Sequence, residues 1–152
     1  MAGYKSKTMK NILYTICAVL LLASCNEKGG DDTKLPLEKR VCGEWHSTSL
    51  PIDADIYLSL SEDASFELYQ QIGEGLYRLY RGEWNIENDI LSGRYNDGEP
   101  WASSYQVAIV DGVLTLTSYN DAAEESAFRK EAIPDEVRES CIVAVKSVGL
   151  AL

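Results

Sequence analysis

The chain contains one histidine, His46. A zinc centre or a histidine-based nucleophilic triad needs further ligands or partners at defined positions. The sequence around His46 offers none, so it is read as a half-exposed strand residue. There is no G-x-S-x-G elbow and no phosphate-cradling glycine loop. Asp53 and Asp55 form one acidic turn, and Asn96, Asp97 and Glu99 form another. Neither has the full oxygen-ligand spacing of a calcium loop, so both are read as solvated turns. Nothing marks a carboxylate pair for glycoside hydrolysis, whose separation is visible only in space. The expectation is a protein that is not an enzyme, with no metal and no cofactor.

The aromatic residues say more. Tyr69, Tyr77, Tyr80, Trp84, Tyr95, Trp101, Tyr105 and Tyr119 are spread along most of the chain. One reading is packing and ordinary strand surface. The other places Tyr80, Trp84, Trp101 and Tyr105 around an opening, where rings with polar tips suit a small apolar or sugar-like ligand.

The elements that must hold these side chains alternate with a period of two. Strands are predicted over residues 43–50, 55–61, 65–72, 76–86, 90–95, 101–110, 113–119 and 125–132. Ile56, Leu58 and Leu60 share a face, as do Tyr80, Gly82, Trp84 and Ile86. The links are short. Asp111-Gly112 is a two-residue hairpin signal, and Asn96-Asp97-Gly98-Glu99-Pro100 is a longer turn. No crossover is long enough for parallel pairing, so successive strands pair antiparallel. Eight such strands close into an up-and-down barrel. A Greek-key sandwich would need longer connections. Residues 35–41 are read as a short helical turn before Cys42, and residues 134–141 as a short helix. The apolar residues 142–152 either pack along the barrel or add a strand.

The N-terminus is of another kind. Lys5, Lys7 and Lys10 precede a twelve-residue apolar run, residues 12–23, followed by Ser24 and Cys25. A membrane-spanning helix needs about 20 apolar residues, so this run reads as a secretory signal. The tetrapeptide Leu22-Ala23-Ser24-Cys25 resembles the lipobox of bacterial lipoproteins. That resemblance implies cleavage before Cys25 and a lipid on its thiol. Met9 begins a more typical signal than Met1 does. Three domains are therefore expected: a signal peptide over 1–24, an acidic tether over 25–40, and a barrel with C-terminal helix and tail over 41–152. Asn26-Glu27-Lys28-Gly29-Gly30-Asp31-Asp32 is a flexible acidic linker. It also has a weak likeness to the surface-export signal of Bacteroidetes lipoproteins.

The chain's formal charge is −10; three of its 14 basic and none of its 24 acidic residues precede Cys25, leaving −13 afterwards. A charge of that sign repels phosphate backbones, so no nucleic-acid partner is expected. It also keeps the domain surface off anionic lipid, leaving the membrane to the anchor at Cys25. With Cys17 in the signal and Cys25 lipidated, Cys42 and Cys141 remain. Leftover pairs in an oxidising compartment commonly bond, which would contribute roughly 4–5 kcal/mol for so long a loop. Two unpaired thiols are the alternative.

Gly43-Glu44-Trp45 opens the first strand, Ser65-Phe66 follows a turn, and Gly82-Glu83-Trp84-Asn85-Ile86 comes later. In this order, G-x-W, turn-x-F and G-x-W-x-I resemble the lipocalin (calycin) superfamily, and especially the small lipocalin-like lipoproteins of the Bacteroidetes. The resemblance spans residues 42–131, with Asp63-Ala64 where the family has D-G. It implies a barrel with a pocket, held at the outer membrane by lipid. It also implies a basic residue over Trp45, with Arg129 and Lys130 as candidates. The functions in view are binding of a small apolar or glycan ligand, or interaction with a protein partner. A partner role could be inhibition of a lysozyme or protease, or service as an accessory subunit of an outer-membrane complex.

Overall fold

The computed structural model describes residues 34–120 and 122–144. The predicted signal, Cys25 and most of the tether lie outside the described residues, as do residues 145–152. The described chain runs α1 (Leu37–Val41), β1 (Gly43–Ser49), β2 (Ala54–Leu60), β3 (Ser65–Ile72), β4 (Arg78–Glu87), β5 (Ile90–Tyr95), β6 (Tyr105–Val110), β7 (Val113–Ser118), β8 (Glu125–Lys130), α2 (Asp135–Ser140) and β9 (Ile142–Val143). Each of the first seven strands pairs antiparallel with the next, and β8 pairs antiparallel with β1. The result is a closed, eight-stranded up-and-down barrel. Closure leaves no long sheet edge exposed.

Local sequence explains the turns. Asn88 and Asp89 have φ of 53° and 63°, and Asp111 and Gly112 have 50° and 76°. Two successive positive φ values give the primed turn that matches strand twist. Gly82 on β4 has a packing reason: a Cβ there would lie 2.0 Å from the Arg94 carbonyl oxygen of β5.

The barrel interior is filled. Trp45, Leu58, Leu60, Phe66, Leu68, Leu91, Leu114, Leu116 and Phe128 are fully buried within one cluster. Helix α1 closes one end. Its Val41 is fully buried in that cluster, Lys39 pairs with Glu62 beside the β2–β3 turn, and Arg40 donates to the Ile109 carbonyl near the β6–β7 turn. Of the two basic candidates, Lys130 sits over Trp45, 5.4 Å from the ring centroid. The register pairs Trp45 with Lys130 directly.

A second apolar cluster lies on the outer face. Tyr57, Tyr69 and Leu79 stand side by side on β2, β3 and β4 and are covered by Ile133 and by Val137 of α2. Arg138 fixes the helix there, reaching Glu44 and Glu67. After α2 the chain adds β9, which pairs parallel with the start of β4. Of the two expectations for the segment after α2, the extra strand holds for Ile142 and Val143.

Two expectations are corrected. Strand six does not begin at Trp101. A tight turn at Asn96–Glu99 brings Pro100 and Trp101 back along β5, with the Trp101 amide donating to the Gly93 carbonyl at 2.9 Å. Pairing with β6 proper then covers only Ile90–Gln106 and Leu91–Tyr105. The expected Cys42–Cys141 disulfide is not formed either. The Cys42 thiol donates to the Glu38 carbonyl and packs against the inner cluster. The Cys141 thiol donates to the Arg138 carbonyl and packs against the outer one.

Candidate functional site

The barrel end opposite α1 is formed by the β1–β2, β3–β4, β5–β6 and β7–β8 loops. A cavity of about 170 Å³ opens there. Leu50, Pro51 and Ile52 form one wall and Ala102 and Ser103 another; Ile56, Tyr105, Ser118, Asn120, Glu124 and Ser126 complete it. The loops are shaped by local bonds. Asn120 accepts from the amides of Ala122 and Ala123, and Ser118 accepts from the Glu124 amide at 2.9 Å. The lining is thus apolar towards β1–β2 and polar towards β7–β8.

A second cleft of about 390 Å³ lies at the same end, between the β3–β4 loop and β9. Gln70, Ile72, Glu74, Leu76, Arg78, Tyr80 and Ile142 line it. Its rim is apolar, since Ile72, Leu76 and Ile142 are all more than half exposed.

The four aromatic residues expected at an opening all belong to the buried inner cluster. Tyr105 lines the mouth cavity and Tyr80 lines the second cleft. Trp84 lines neither, and its indole N–H donates to the Ser65 carbonyl at 3.0 Å. Trp101 packs edge-on against Phe66, with ring centroids 5.1 Å apart, and against Tyr105 at 6.3 Å. Gly93 gives it room: a Cβ there would lie 2.3 Å from the indole. The structure therefore brings Trp101 and Tyr105 together and places Tyr80 at the other cleft, with Trp84 at neither opening.

Tyr95 joins this group. Its ring packs against Phe66 and Tyr80, and burial pushes its hydroxyl pKa up, with Tyr105 and Tyr80 adding to the effect. The Tyr105 hydroxyl is pushed up to about 12 by burial, then by Glu124. Both phenols stay protonated as donors at neutral pH. Strand alternation could have found Tyr95, which shares its parity with Leu91 and Gly93. Ser118, Asn120 and Ser126 of the mouth carry no sequence signal, because serine and asparagine are common wherever chains turn.

His46 lies outside the barrel and is more engaged than its sequence suggests. Its Nε2 is 2.7 Å from Asp55 and its Nδ1 is 3.2 Å from Glu131. Its ring stacks on Tyr57 at 4.1 Å. Tyr77 also donates to Asp55. Burial pushes the Asp55 carboxyl up, but hydrogen bonds from Tyr77, His46 and Ser47 outweigh it and hold the carboxyl below its usual range. With both ring nitrogens occupied, His46 clamps β1 to β2 and to the segment after β8. Among the described residues, no three histidine, cysteine or acidic side chains are grouped to hold a metal ion.

In the comparison with known proteins, no family model matches the chain, and no curated protein matches it either.

Proposed function

We propose that this chain is a lipocalin-like lipoprotein of the bacterial envelope, anchored at the outer membrane through lipid on Cys25. Its barrel binds a small, partly apolar ligand at the open mouth. The observation that carries this reading is the contrast between the barrel's ends: α1 plugs one, while the other opens into a cavity with an apolar wall and a polar wall. At about 170 Å³ the cavity is smaller than those that hold drug-sized ligands, about 300–1,000 Å³. The ligand is therefore small, or presents one small group.

The test is mass spectrometry of small molecules released from protein purified out of native membranes. One compound class should co-purify near stoichiometrically. It should be lost from Ser126→Phe, which fills the mouth from β8. No enriched compound, or equal enrichment with Ser126→Phe, would overturn mouth binding. The anchor is tested separately: Cys25→Ser should shift the protein from the membrane to the soluble fraction, and retention at the membrane would remove the lipid from the account.

The filled interior and the exposed Ile72, Leu76, Ile142 and Val143 favour a second reading, a protein-interaction module. A stoichiometric protein in the same native preparation, with no small molecule, would put it first.

A further inference from the structure

The inner cluster contains three indoles, and they differ in one respect. Trp45 donates its N–H to the Val41 carbonyl at 2.8 Å, and Trp84 donates to the Ser65 carbonyl at 3.0 Å. The Trp101 N–H has no hydrogen-bond partner among the described residues, and neither does the Tyr95 hydroxyl. Trp101 is 5% exposed and Tyr95 6% exposed. Buried donors are nearly always bonded, because an unpaired one keeps its full desolvation cost. Two such groups share one neighbour here, since both rings pack against Phe66. Trp101 also adjoins the mouth, behind the residues that line it. Ala102 and Ser103, which follow Trp101, line the cavity, and Tyr105 lines it while packing on the indole.

We infer that Trp101 and Tyr95 recognise a hydrogen-bond acceptor on the mouth ligand, and that this ligand is a small neutral molecule bearing a carbonyl, amide or ether oxygen. This rests on the mouth-binding reading above. An indole N–H can only donate, so a cation or a pure donor leaves it unpaired. The residues lining the mouth include Glu124 and no lysine or arginine. A buried anion would therefore have no counter-charge and would meet a carboxylate. Gly93 serves the same arrangement, because any side chain at that position would collide with the indole.

The experiment uses the full chain uniformly labelled with 15N, in detergent, with Trp101→Phe assigning the indole resonance. Three probes share one ring: cyclohexanone (a neutral acceptor), cyclohexanecarboxylate (an anionic acceptor) and cyclohexylammonium (no acceptor). Cyclohexanone should shift the Trp101 indole signal saturably and leave those of Trp45 and Trp84 in place. The two charged probes should bind at least tenfold more weakly. Tyr95→Phe should weaken cyclohexanone several-fold without lowering the thermal unfolding midpoint. Equal binding of the carboxylate would overturn the neutral-ligand assignment. Shifts at Ser118 and Ser126 with an unmoved Trp101 indole would overturn the acceptor role and leave mouth binding standing. That includes the case in which a structural water already serves the indole. No shift at the mouth or the indole with any probe would overturn both.

Discussion

The two ends of this barrel are made by the same eight strands but finished differently. At the plugged end, polar groups find partners within the protein. Trp45 bonds to the carbonyl of Val41, the last residue of α1, Arg40 reaches a strand carbonyl, and Lys39 pairs with Glu62. Towards the open end, the buried donors of Trp101 and Tyr95 have no hydrogen-bond partner among the described residues, and Trp101 packs on Tyr105, which lines the cavity. The difference shows where stability and recognition reside. The plug completes a hydrogen-bonded, close-packed core, and capacity for an outside molecule is concentrated opposite it.

Substitutions can sharpen or break that contrast. The largest effect belongs to the core that both ends share: Phe66→Ala should cost about 3–5 kcal/mol in urea unfolding, since it leaves a cavity among tightly packed rings. A loss under 1 kcal/mol would show a loosely packed interior. Next, Gly93→Ala should destabilise by about 1–3 kcal/mol through overpacking and should perturb the Trp101 indole resonance alone. Perturbation of Trp45 as well would mean that the ends are not independent.

Acid should act on the outer wall. Asp55 is held low as described, and Glu67 is too: burial raises it, but Arg81 and Tyr69 outweigh that. A carboxyl whose folded pKa is depressed contributes stability that is complete above its unfolded value, about 4. That stability is lost as pH falls through the lower folded value. The urea midpoint should therefore drop below about pH 4, and an Asp55→Asn, Glu67→Gln double variant should flatten the decline. An unchanged slope would remove both carboxyls from the account.

Smaller still, Tyr77→Phe should cost about 1 kcal/mol by removing the bond to Asp55. Tyr95→Phe should be neutral or slightly stabilising, because it deletes a donor with no partner among the described residues. The smallest effect is chemical: burial and then Glu62 raise the Cys42 thiol pKa, so its alkylation at pH 8 should be slower than that of free cysteine. A bonded Cys42–Cys141 peptide in a non-reducing digest would contradict the two separate thiols.

Much of the barrel was legible because alternation with short links leaves few other folds. β3 and β5 start and stop where the pattern does. Trp101 was misplaced because the turn at Asp97–Gly98 returns the chain along β5 before β6 begins, a detour that strand propensity does not encode. The covered outer face was missed for another reason. Ile56, Tyr57 and Leu58 are buried in succession, since α2 shields the side that alternation assigns to solvent. The row Tyr57, Tyr69, Leu79 becomes visible only once register is known. Register likewise chose Lys130 over Arg129. The mouth was the least legible part, because its polar residues are ordinary loop residues that gather only on closure.

The central claim, that among the described residues the donors towards the open end lack partners while those at the plugged end have them, is tested most directly by hydrogen exchange of the three indole N–H groups in the ligand-free protein. The account predicts strong protection for Trp45 and Trp84 and at least tenfold faster exchange for Trp101. Equal protection of all three would contradict it.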